Sequence, residues 1–265
     1  MGWLSSKLRG DRKPDDIADS NDGMEDEVDF KPTSSTDDIS SHAELLSTVD
    51  LPLLNGTHSQ TKYEVAFSAK LSTNLVLKRL EPSSATWTTV YWIETFEWKK
   101  EPDLVLHERH RAGPIAGSAI MRKRNHEMTL KVDGTGALQD HQDGATLGRI
   151  NQDKKYHDKG YTLDIPTPSG GSRMYHFART QSAKDGVKGF MGKLAFYNWL
   201  ITNARQETVG LYLENTKGAI SLTRGALTIN PDMMDQESDL PYILLGLVTI
   251  MERTQRDIAL TVAVT

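Results

Sequence analysis

LPYILLGLVTIMERTQR, residues 240–256, is the stretch whose reading decides the fold. From Ile243 to Met251 it is apolar on every side apart from Gly246 and Thr249. A surface helix of a globular domain shows a polar face, and one that is greasy all round has to be enclosed. The run is too short to cross a bilayer, which takes about 20 apolar residues, and Glu252, Arg253 and Arg256 follow at once. Full burial of each of its large aliphatic side chains is worth about 1.5–3 kcal/mol. The expectation is a buried C-terminal helix over about 239–257, with the strands that precede it wrapped around it. Ser238 or Asp239 is the expected N-cap, and Pro241 falls in the first turn.

Working outward, the chain ahead of that helix is a series of short strands. Residues 64–70, 75–80, 87–94, 103–107, 114–121, 127–132, 161–165, 172–180, 193–200, 207–213, 219–223 and 226–229 are expected to be extended. WTTVYWIE (87–94) is dense in β-branched and aromatic residues, which suit a pleated surface. SRMYHFART (172–180) alternates, with Tyr175 and Phe177 on one side and Met174, His176 and Ala178 on the other. Arg224-Gly225 reads as a break between two strands, and 140–160 reads as irregular. The closing IALTVAVT (258–265) is β-prone, so it is expected either to pair with the strands or to hang free. Many short strands at near-regular spacing argue for a mainly β (α+β) domain, a sandwich or a barrel.

The 265 residues carry a net charge of −5, unevenly spread. Residues 1–60 hold 13 acidic against 5 basic side chains, a net of −8, and the rest of the chain is mildly basic at +3. With its Ser, Asp, Asn and Pro and few aromatics, 1–60 is expected to be a disordered acidic tail, with the folded domain over 61–265. A basic balance this slight is no nucleic-acid signature, so no nucleic acid is expected. There is no cysteine, hence no disulfide, thiolate metal site or cysteine nucleophile. No signal-peptide core and no 18-residue apolar run is present, so a cytoplasmic protein, at most peripheral to a membrane, is expected. Gly2 with Ser6 fits the loose myristoylation pattern, and Lys7, Arg9, Arg12 and Lys13 follow. The bulky Trp3 fits that pattern poorly, and the alternative is an ordinary terminus.

This order of parts resembles the tubby C-terminal-like domain superfamily, and within it an uncharacterised fungal branch. The resemblance rests on Pro102-Asp103-Leu104-Val105-Leu106-His107 before Gly113-Pro114, on Ala119 and its strand, on Tyr175-His176-Phe177 running into Arg179-Thr180, and on the closing helix with its Glu-Arg end. It departs at Phe196-Tyr197-Asn198-Trp199, where a Lys-Leu-Val stretch is usual. It covers residues 62–256. It implies a closed antiparallel β-barrel threaded by the apolar helix, a fold shared with phospholipid scramblases and plant LURP-one-related proteins.

Chemistry-bearing motifs are sparse. His107 and His110 stand three apart, and His126, His141, His157 and His176 are scattered, with no HExxH. No G-x-S-x-G is present. Gly134-Thr-Gly136 and Gly144-Ala-Thr-Leu-Gly148 are not followed by a helix, and Asp140 and Asp143 read as turn residues. Neither metal, cofactor nor enzymatic activity is expected. The remaining lead is cationic. Arg122, Lys123, Arg124 and Lys131 sit on or between two adjacent strands, and Lys184, Lys188 and Lys193 form a looser group. Guanidiniums can fork onto phosphate oxygens. Because tubby-type barrels bind phosphoinositide headgroups through strand Lys and Arg, the resemblance implies a non-enzymatic binding module for anionic phospholipid headgroups. Two alternatives stay open: a solvated face, or a protein-interaction scaffold whose acidic tail is the partner-binding arm.

Overall fold

The computed structural model describes residues 60–70, 72–96, 101–122, 127–132, 147–152, 160–187, 197–215 and 222–264, the last five by backbone alone. The expected acidic tail, Gly2, Lys123, Arg124, Asp140, Asp143, Lys188, Lys193, His126, His141 and His157 lie outside the described residues.

Twelve strands run in sequence: β1 (Thr61–Phe67), β2 (Leu75–Glu81), β3 (Thr86–Thr95), β4 (Leu104–Glu108), β5 (Ile115–Met121), β6 (Met128–Val132), β7 (Leu147–Gln152), β8 (Tyr161–Pro166), β9 (Ser172–Arg179), β10 (Trp199–Asn203), β11 (Thr208–Glu214) and β12 (Thr223–Ile229). Each pairs antiparallel with the next, and β12 closes on β1 with Lys62 opposite Thr228 and Glu64 opposite Ala226. Full closure of an up-and-down sheet removes every strand edge.

The helix α1 (Leu240–Val264) is the plug of this barrel. Every residue from 243 to 251 is buried, and none of their side chains is more than 2 % exposed. They form one core with the inward row of the wall, which includes Val65, Leu77, Leu104, Leu130, Ile150, Leu163, Phe177, Trp199 and Leu227. The helix lies nearest β5, β6 and β8. Glycine makes close approach possible: a Cβ at Gly117 of β5 would stand 3.2 Å from Leu245 Cδ2, and one at Gly148 of β7 would stand 3.0 Å from the Tyr242 ring.

Four bulges refine the wall among the described residues. The extra residues are Val90 on β3, Ala116 on β5, Val209 on β11 and Arg224 on β12. A bulge re-aims a side chain, and here it adds one to the interior. Val90, Ala116 and Val209 join the core, and Arg224 stacks over the Phe67 and Tyr197 rings and donates to Gln255 Oε1 of α1 at 2.9 Å.

Five expectations are corrected. The chain at 258–264 is helical, neither paired nor loose, because the helix already formed ahead of it extends at one hydrogen bond per residue. Residues 147–152, read as irregular, form β7. The break at Arg224-Gly225 is no break: the bulge absorbs Arg224, and Gly225 stands where a Cβ would meet the side chain of Tyr212. The strand expected over 193–200 is centred later, at Trp199–Asn203. Asp239, expected as an N-cap, closes a 3₁₀ turn (Glu237–Asp239), and its carboxylate turns to Arg173 and Tyr175.

Candidate anionic-surface face

Arg122 follows the last residue of β5 and is exposed. Its N–H donates to Glu127 O at 3.2 Å, closing the hairpin, and its own carbonyl accepts from Arg253 Nη1 of α1 at 3.0 Å. The strand end that presents this cation is therefore tied to the central helix. Lys131, on β6, is half-buried and pairs with Ser118 on one side and Leu147 on the other. Since Met128 and Leu130 point inward, Lys131 points out.

The structure adds one cation that the sequence reading passed over. Arg149 on β7 is exposed and points outward, opposite Thr129 on β6 and Asp164 on β8. Two large apolar side chains are exposed among the described residues, Leu147 at 42 % and Met174 at 39 %. Both belong to this same outer face: Leu147 sits beside Lys131, and Met174 lies opposite Asp164. By strand spacing they stand about 12 Å apart. Among the described residues, the acidic groups on this face are Glu127 and Asp164. Recognising β7 would have brought Arg149 and Leu147 forward, since alternation then assigns both to the outside.

Arginines at the barrel end where α1 emerges have other employment. Arg256 donates to Asp103 Oδ1 (2.7 Å), Glu252 Oε1 (2.8 Å) and Phe96 O (2.7 Å), and Arg253 pairs with Asp257 at 3.2 Å. At the opposite end a groove of about 430 Å³ is lined by Arg79, Thr88, Thr89, Val90, Tyr91, Glu108 and Arg109. Arg79 there is occupied by Glu81 at 2.8 Å. Burial raises Tyr91, with Glu108 adding to the rise and Arg79 opposing it. Lys184 sits in an exposed 3₁₀ turn (Ala183–Asp185) that follows β9. His107 Nδ1 lies 3.2 Å from Gly113 O, and His176 Nδ1 lies 3.1 Å from Thr162 Oγ1. Among the described residues no three His, Asp or Glu side chains converge as metal ligands would, and no helix is long and apolar enough to cross a membrane.

A convex wall carrying separated cations and protruding apolar side chains does not enclose a small molecule. It can lie against an extended anionic surface, with cations at the headgroups and apolar side chains below them. No protein-family model, curated protein or solved structure matches this chain.

Proposed function

We propose that the protein is a non-enzymatic, tubby-like barrel that binds anionic phospholipid surfaces through the outer face of β5–β9. The observation that carries this reading is the company kept by Leu147 and Met174. They share an outer face with Arg122, Lys131 and Arg149. Leu147 and Met174 would enter the headgroup region while the three cations meet lipid phosphates, with Lys123 and Arg124, between β5 and β6 in the sequence, as further candidates. Each cation near an anionic leaflet is worth about 1 kcal/mol.

The test is flotation of the full chain with vesicles of neutral lipid, of neutral lipid plus phosphatidylserine, and of neutral lipid plus phosphoinositide. Binding to the anionic vesicles is expected, weakening as salt rises. Lys131→Gln with Arg149→Gln is expected to cost about 2 kcal/mol of partitioning, roughly thirtyfold. Equal recovery with neutral and anionic vesicles defeats the reading.

A further inference from the structure

On the wall away from the proposed lipid face, outward-pointing residues are buried. On β11, β12, β1 and β2, the side chains of Leu211 (1 %), Thr228 (0 %), Ala226 (9 %), Glu64 (5 %), Ala66 (2 %) and Val76 (8 %) form a continuous cross-strand patch. Their parity is fixed by inward neighbours: Tyr212, Leu227, Val65, Leu75 and Leu77 belong to the core, and none of these six does. A bare barrel wall does not bury such positions, because outward side chains splay apart on a convex surface. Ala178, outward on β9, is exposed, as Ala66 and Ala226 would be on an uncovered wall.

We propose that residues 44–55, ELLSTVDLPLLN, dock across this patch, with Leu51, Leu53 and Leu54 over Ala66, Val76, Ala226 and Leu211. Three features of the chain favour this occupant. The segment leads into β1, which lies in the middle of the patch. Leu54 stands seven residues before Thr61, an extended reach of about 23 Å, and Ala66 lies about 17 Å along β1. It brings Leu45, Leu46, Val49, Leu51, Leu53 and Leu54, an apolar load that is better buried than left in water. Its charges complement the margin: Glu44 and Asp50 come with it, and the patch is bordered by exposed Lys62 and by Lys78, which reaches Glu64 at 3.4 Å. The link from β9 to β10 is a poorer occupant. Ten residue steps separate 187 from 197, so out and back it reaches about 17 Å, while Val76 on β2 lies four strands from β10, about 19 Å. Burial is also deepest on β11, β12 and β1 and already fades at Leu200 on β10.

The absence of cysteine makes the test direct. Thr228→Cys and, separately, Ala178→Cys are introduced into the full chain and their maleimide labelling rates compared. Cys at 228 is expected to react at least about tenfold more slowly than Cys at 178. Adding Leu51→Asp, Leu53→Asp and Leu54→Asp is expected to bring the two rates together while the melting transition survives. Protection at 228 that persists in that variant overturns the proposal. Should the triple variant lose its melt, the chain carrying only Leu53→Cys and Val76→Cys decides. A bismaleimide bridge within one chain, independent of protein concentration, supports docking. A bridge only between chains, or none, rejects it.

Discussion

Asp239 shows how a single residue locks the plug. Its carboxylate is fully buried, accepts from Arg173 Nε at 2.8 Å and Nη2 at 2.6 Å, and accepts from the Tyr175 hydroxyl at 2.7 Å. Tyr175 in turn accepts from Asp235 N at 3.0 Å. One network thereby joins β9 to the start of α1. Asp239→Ala leaves a largely buried guanidinium without its partner, which costs about 3–5 kcal/mol; the urea midpoint should fall with its slope unchanged, and a loss under about 1 kcal/mol would refute the assignment. Buried phenols give the molecule an alkaline limit. Tyr63 is pushed up to about 12, mainly by burial, with nearby Arg79 opposing the rise. Burial also raises Tyr175, where the hydrogen bond to Asp239 adds to it, and Tyr212. A phenol whose folded pKa lies above its unfolded value stabilises fully below about pH 10, and that contribution is lost as pH rises towards 12. Phenolate absorbance should therefore lag the ordinary tyrosine titration and then rise together with loss of the near-UV CD. Ionisation of all tyrosines near pH 10 in a folded protein would contradict this.

At the scale of the element, Gly246 offers a separable test of the sleeve. It lies mid-helix, where glycine costs about 1 kcal/mol relative to alanine. A Cβ there would meet Ile150 Cδ1, Leu130 Cδ1 and Leu163 Cδ2, each at 3.6 Å, which is ordinary contact. Gly246→Ala should raise Tm by about 2–4 °C; a fall would mean that the wall around α1 is tighter than these distances. At Gly225 the opposite holds, since a Cβ would lie 2.6 Å from Tyr212 Cζ, and alanine should destabilise. These two glycines also mark what could be read from the sequence. The apolar helix was legible because no polar face interrupts it, and most strands because their residue types suit a pleat. Arg224-Gly225 looks like a turn to any local reading, for only the pairing with Val65 and Ala66 reveals the bulge. The β-prone end of α1 is helical against its residue types because propensity is a weak prior once a helix is nucleated. At the candidate face, Arg122 and Lys131 were visible as a cationic cluster. Arg149, Leu147 and Met174 matter through exposure and cross-strand position, which sequence spacing does not supply across an unrecognised β7.

Taken whole, the barrel and its plug share one interior, so neither is a stable unit by itself. Strip α1 away, and the inward faces of Leu130, Ile150 and Leu163 would open onto water; release the wall, and the helix would bare an apolar surface all round. Unfolding should then be all-or-none. Two probes watch different parts of it. Far-UV CD reports the backbone of strands and helix together. Trp199, 1 % exposed and packed edge-on against Tyr161 with ring centroids 5.7 Å apart, reports the interior near the helix exit. Their urea transitions should coincide. Leu245→Ala sharpens the test, because Leu245 is fully buried on α1 and its side chain fills the space above Gly117 of β5. Removing it should cost about 2–5 kcal/mol, and both midpoints should move together by the same amount. If the far-UV signal alone shifted, or the tryptophan held its native environment after the helical signal was lost, then the wall would be able to stand without its plug, and the single shared core would be the wrong description.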